Sequence, residues 1–216
     1  MTIDQAEVTR NIAEVRAAIR ERTDRRVRLV AVTKGFDEEA VTAALAAGAD
    51  GIGENYAQEM VAKARALVPK EPVAWHFIGQ LQRNKVKVIV PLGVVLWQTI
   101  DRLDLARELA RRQPGAQILV QVNTTGEAQK GGCEPGETAA LVKDCGGLGL
   151  SVGGLMTVGP AGPAEEARAG FRLLRRMADE LGLADCSMGM SADFEVAAEE
   201  GATIVRIGSR LFGPRG

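Results

Sequence analysis

Lys34 stands directly after the apolar, β-branched run Leu29-Val30-Ala31-Val32-Thr33, so a primary amine is delivered where a buried strand ends. Burial disfavours the charged form of a lysine, and the neutral amine can attack an aldehyde to form an imine. A lysine leaving a strand for solvent is the competing reading, and position alone does not decide between them. The far end of the chain supplies groups of a complementary kind. Ser187-Met188-Gly189-Met190-Ser191-Ala192-Asp193-Phe194 and Val205-Arg206-Ile207-Gly208-Ser209 place hydroxyls and glycine amides just beyond short apolar segments. Loops of this composition hold phosphate through backbone N–H groups, which makes Ser191, Gly208 and Ser209 a candidate phosphate cup. Ser191 as the cap of a helix beginning at Ala192, and Gly208 as a plain turn residue, are the alternatives. Arg206 lies within the apolar strand Ile204-Val205-Arg206-Ile207, and arginine rarely enters such a strand without a partner.

Two more positions fall at strand ends. Gly51-Ile52-Gly53-Glu54-Asn55-Tyr56 permits close backbone approach at its glycines, and Asn55 offers both a donor and an acceptor to a ligand or, alternatively, to a helix start. Trp75-His76-Phe77-Ile78-Gly79 carries the single histidine of the chain. His76 is read as a hydrogen-bonded structural group that could support the site from behind. With one histidine and three scattered cysteines, neither a multi-histidine zinc site nor a metal-based mechanism is expected.

These residues need elements to position them. Apolar residues at Ile12, Val15, Ala18 and Ile19 give residues 4–22 a helical period with one face to bury. Short apolar strands then alternate with helical stretches: strands over 27–33, 51–53, 74–78, 94–100, 117–123, 150–157, 186–188 and 203–207, and helices over 37–47, 58–67, 83–89, 103–112, 137–145, 164–181 and 192–200, with a short terminal turn. Regular alternation implies parallel strands joined by right-handed crossovers. Eight such units predict a closed (β/α)8 TIM-type barrel, one domain over 1–216 with an extra N-terminal helix within 1–25. An open doubly wound sheet is the alternative, but neither G-x-G-x-x-G nor G-x-x-x-x-G-K-[ST] occurs. In a barrel, strand ends at the C-terminal face carry the chemistry, and every candidate above lies at such an end.

Composition narrows the partners. The 216 residues are 46% hydrophobic and carry a formal net charge of −1 spread through mixed-sign stretches, so neither nucleic acid nor an anionic membrane is expected to bind. Cys133, Cys145 and Cys186 form no C-x-x-C pair, their number is odd, and no apolar run approaches a membrane span or signal peptide. A soluble protein of the reducing cytoplasm is expected.

Taken together, Val30-Ala31-Val32-Thr33-Lys34, the run Gly53 to Glu59, Trp75 to Lys85, Gly154-Leu155-Met156-Thr157, Ser187 to Phe194 and Val205 to Gly213 resemble the pyridoxal phosphate homeostasis protein family nearly end to end. The resemblance implies a barrel similar to the N-terminal domain of alanine racemase, with pyridoxal 5′-phosphate as a Schiff base on Lys34. It also implies phosphate contacts from Ser191, Gly208 and Ser209, Arg206 at the pyridine nitrogen, and Asn55 and Met156 beside the ring. One departure stands out, because the family commonly follows the lysine with a polar residue and a nearby proline, where this chain has Gly35-Phe36.

An arginine cannot accept the proton that a carboxylate at the ring nitrogen would keep there, so carbanion chemistry is weakened. A non-catalytic cofactor carrier is therefore expected over an amino-acid racemase. Alanine racemase takes its second base, a tyrosine, from a further domain, whereas this sequence closes at Gly216 with Tyr56 and His76 as its single tyrosine and histidine. A Schiff-base aldolase fits the barrel and cup but not the pairing of Lys34 with Arg206. A monomer that makes transient contact with apo-enzymes receiving the cofactor completes the expectation.

Overall fold

A computed structural model describes residues 3–67 and 73–213; Met1 and Thr2 of the expected N-terminal segment and residues 214–216 lie outside them. Eight parallel strands close into a barrel in chain order: β1 (Arg28–Val32), β2 (Gly51–Glu54), β3 (Trp75–Phe77), β4 (Val94–Ile100), β5 (Gln117–Gln121), β6 (Ser151–Met156), β7 (Asp185–Ser187) and β8 (Ile204–Ile207). β8 closes on β1 with Val30 opposite Arg206.

Between the strands run α2 (Glu38–Ala46), α3 (Ala57–Ala66), α4 (Arg83–Ile89), α5 (Leu103–Arg112), α6 (Thr138–Gly147), α7 (Arg168–Glu180) and α8 (Phe194–Glu199), and α9 (Ser209–Phe212) follows β8. Ahead of them α1 (Gln5–Arg22) buries Val8, Ile12, Val15 and Ile19, a spacing that puts all four on one helical face. The Asp4 carboxylate accepts from the Ala6 and Glu7 amides at 2.9 and 3.2 Å and so satisfies two of the orphan donors at that end.

Alternation along the strands divides the apolar residues into two cores. Leu29, Ala31, Ile52 and Trp97 pack outward with the helices, whereas Val30, Leu96, Leu119, Met156 and Ile204 form a smaller cluster of their own inside the barrel. Inward positions on β2 are glycines because their neighbours are large. A Cβ at Gly51 would lie 2.7 Å from His76 Nε2, and one at Gly53 would lie 2.9 Å from Ile78 Cδ1.

Boundaries fall within a residue or two of the sequence expectation except at the start of α7, and α8 differs in the residue that caps it. The stretch expected as a single helix over 164–181 opens as a 3-10 turn at Ala164–Ala167 before α7. The helix expected from Ala192 with Ser191 as its cap starts at Phe194, with Asp193 in the cap position. The cause is local: the Asp193 carboxylate accepts from the Met190 amide at 2.6 Å, and the Asp193 and Phe194 amides both return to the Met190 carbonyl. The chain turns once before the helix begins, which releases Ser191 for another use.

Candidate functional site

Even-numbered residues of β1 face inward, and the series Val30, Val32 continues past the strand end to Lys34. Thr33 to Phe36 form a turn closed by the Phe36 amide on the Thr33 carbonyl at 3.1 Å. Gly35 has φ +76, which the third position of a type II turn requires and a side chain would resist. Lys34 thus occupies the corner of a tight turn at the barrel mouth. Phe36 packs on Phe212 of α9 with ring centroids 5.2 Å apart, so the two residues by which this chain departs from its resemblance build a defined turn and wall.

The mouth opens on a cavity of about 390 Å³, a size that suits a small ligand. Lys34, Asn55, Met156, Ser191, Arg206, Gly208 and Ser209 all line it, so the seven residues expected to contact the cofactor are brought to one place. Asn55 does not cap α3, whose first turn has no side-chain cap. Its Oδ1 is buried without a hydrogen-bond partner among the described residues, which is costly unless a ligand or water supplies a donor. Ser191 Oγ accepts from the Gly208 and Arg210 amides, each at 3.3 Å, and its side chain lines the cavity. The Gly208 amide is thereby engaged with Ser191. A Cβ there would approach the Val32 carbonyl to 3.3 Å, so glycine allows β8 to end close against β1.

Arg206 is buried, and its partners form a chain through the barrel. Its Nη2 donates to the Thr157 carbonyl at 2.8 Å and its Nη1 to Ser187 Oγ at 2.7 Å. Ser187 Oγ donates to Gln98 Oε1 at 2.6 Å, and Gln98 Nε2 donates to His76 Nδ1 at 2.8 Å. Burial pulls the guanidinium down to about 10, with Asp193 pulling the other way, so Arg206 keeps its charge at neutral pH. With Nδ1 accepting, the neutral ring of His76 carries its proton on Nε2. His76 is the support behind the site that its strand position suggested, two side chains removed from Arg206.

Burial, and secondarily Arg28, lowers His76 from 6.5 to about 4. The unfolded chain therefore takes up this proton before the folded one does. Stability is whole above about pH 6.5 and declines as the pH falls toward about 4, with a slope approaching ~1.4 kcal/mol per pH unit. Denaturation midpoints at pH 7 and pH 5 should show this loss in the wild type and a smaller one in His76→Gln. Equal losses would mean that His76 is not held neutral.

Residues 3–216 match the family described as Alanine racemase, N-terminal domain. A pyridoxal phosphate homeostasis protein of Pseudomonas aeruginosa is 42% identical over 224 residues, covering 96% of both chains. The chain belongs to the pyridoxal phosphate homeostasis protein family. A second member of that family, from Aquifex aeolicus, is 42% identical over 200 residues, 87% of each chain. Among solved structures, PipY of Synechococcus elongatus with PLP bound superposes with a TM-score of 0.84 at 31% identity, covering 95% of this chain and 100% of that one.

Sequence reasoning missed several residues of the site. Phe36 and Val158 wall the cavity, and Gln98 and Ser187 carry Arg206. Gln98 was detectable as an amide within the apolar strand Val94 to Ile100, an exception of the same kind that singled out Arg206. Phe36 gave no signal, because its partner Phe212 lies at the other end of the chain.

Proposed function

We propose that this chain holds pyridoxal 5′-phosphate as a Schiff base on Lys34 and serves as a carrier in pyridoxal phosphate homeostasis without catalysing a reaction on it. The observation that carries the reading is the convergence, in one cavity, of an amine, a buried amide oxygen with no hydrogen-bond partner among the described residues, a buried arginine and a serine hydroxyl. The family's relatives, among them PipY with PLP bound, add their support.

When bound, the cofactor supplies an aldehyde carbon for imine formation and a ring able to delocalise electrons. The chain's own residues then divide the work. Lys34 holds the aldehyde end, and Ser191, Gly208 and Ser209 hold the phosphate, Ser191 by its hydroxyl and Gly208 by the space it leaves beside Val32. Asn55 and Met156 flank the ring. Arg206, fixed by Thr157 and Ser187, meets the pyridine nitrogen with N–H groups and has no lone pair to take a proton from it.

Among the described residues that line the cavity, the side chains that titrate are Lys34 and Arg206. A racemase needs a second base across the substrate, and neither the charged Arg206 nor the buried, hydrogen-bonded His76 serves. The same reading makes the partners apo-enzymes that receive the cofactor, the setting cytoplasmic and the working unit a monomer. Three buried free cysteines agree with a reducing setting, and among the described residues no helix is long and apolar enough to cross a membrane.

The test is to add pyridoxal 5′-phosphate to the purified protein, follow Schiff-base absorbance, and then supply single enantiomers of common amino acids. Stoichiometric colour without inversion of the amino acid is expected. No colour would remove the cofactor reading, and turnover lost in Lys34→Ala would replace the carrier by a racemase.

A further inference from the structure

Lys63 is a buried cation on α3 that the cofactor site does not touch, and its neighbours show what it grips. Its Nζ donates to the Thr33 carbonyl at 2.6 Å and to Glu54 Oε1 at 2.5 Å. Four residues earlier on the same helix face, the Glu59 carboxylate accepts from the Gly35 amide at 2.8 Å and lies 3.7 Å from Lys63 Nζ. Thr33 and Gly35 are the residues on either side of Lys34. One helix therefore holds the carbonyl of the preceding residue and the amide of the following one, each through a charge-assisted hydrogen bond. Glu54, the last residue of β2, holds Lys63 in turn and also accepts from Thr33 Oγ1.

Packing alone does not explain these groups. Replacing a buried ion pair with apolar residues of similar volume is often neutral or stabilising, so a charge is a poor way to fill this space. What a charge adds is a fixed hydrogen-bond geometry. Holding the peptide units on either side of Lys34 fixes where its four-carbon stem departs, and imine formation is sensitive to where the amine starts.

We infer that Glu59 and Lys63 are positioning residues that clamp the two peptide units flanking Lys34 and so fix where its amine stands. This rests on the reading of Lys34 as the residue that holds the cofactor aldehyde. Glu59 is partly exposed, so its variants keep the fold, and Glu59→Gln retains an acceptor where Glu59→Ala has none.

The experiment compares wild type, Glu59→Ala and Glu59→Gln as full chains. It reads amide hydrogen exchange at Gly35 without cofactor, and the rate of borohydride-trappable label on Lys34 after addition of pyridoxal 5′-phosphate. In Glu59→Ala, Gly35 exchange should rise and trapping should slow by about tenfold each, with the melting temperature nearly unchanged and with Glu59→Gln recovering most of both. A second variant, Glu54→Gln with Lys63→Met, removes the other grip without stranding a buried charge and should slow trapping in the same way. Trapping at the wild-type rate in Glu59→Ala and in the double variant would overturn the clamp while leaving the cofactor reading intact. Absence of trapping on Lys34 in the wild type would overturn the cofactor reading itself, whatever Gly35 exchange shows.

Discussion

Gly79→Ala should destabilise the fold by about 3 kcal/mol or more and displace the end of β2. A Cβ built on Gly79 would stand 2.0 Å from the Asn55 carbonyl oxygen and 2.7 Å from its Cα. These are backbone atoms at the mouth of the barrel, so no side-chain rotation relieves the overlap. Relief requires β2 and β3 to part just where Glu54 accepts from the Ile78 amide at 2.9 Å, and Asn55 would leave the cavity with the backbone. Gly146→Ala is the matched control. Gly146 lies in α6 with nothing within 4 Å of its built Cβ, so alanine there should be neutral or stabilising by roughly 0.5–1 kcal/mol. Urea denaturation of the two variants checks both, and similar stabilities would show that the approach of β3 to Asn55 is not rigid.

Lys63→Met carries the second large effect, a loss of about 3–5 kcal/mol at neutral pH, because it strands the buried Glu54 carboxylate. Glu54 Oε2 already has no partner among the described residues. Burial holds this carboxyl above its usual 4.5, while Lys63 and Thr33 pull it back. Without Lys63 the main downward pull is gone. A carboxyl raised in the fold binds its proton more tightly folded than unfolded, so its favourable contribution is complete below the unfolded value and is lost as pH rises through the folded one. The variant should therefore regain stability as pH falls from neutral toward about 4.5, opposite in sign to the acid loss expected from His76. Adding Glu54→Gln should recover much of the loss at neutral pH. Denaturation of variant and wild type at pH 7 and pH 5 distinguishes these outcomes, and a variant that loses as much stability on acidification as the wild type loses through His76 would contradict a stranded carboxylate.

The barrel was readable because each strand and helix announces itself over a few neighbouring residues. Short β-branched segments such as Leu29 to Thr33 alternate with helical stretches, and parallel connectivity follows from that alternation. The seven cavity residues were readable for a different reason. Lys34 and Arg206 are charges in apolar surroundings, Ser191, Gly208 and Ser209 cluster at adjacent strand ends, and the family resemblance supplied Met156 and the ring-facing place of Asn55.

Hidden from the sequence were contacts between residues far apart in the chain. Gln98 reaches Ser187 across 89 positions, and Phe36 meets Phe212, with no local pattern to announce either pair. Lys63 and Glu59 stand four residues apart on α3, and only the fold brings them against the turn at Lys34. The start of α8 fell two residues after the one expected for a local reason, since Asp193 is an equally good helix start and also reaches back to Met190.

Every role proposed for the cavity depends on Lys34 being the amine that holds the cofactor. Reduction of the protein with borohydride in the presence of pyridoxal 5′-phosphate, followed by proteolysis and mass spectrometry, tests that assignment most directly. One pyridoxyl group per chain is expected, on the peptide carrying Lys34. Label spread over lysines such as Lys85, Lys87 and Lys143, with Lys34 unmodified, would contradict it.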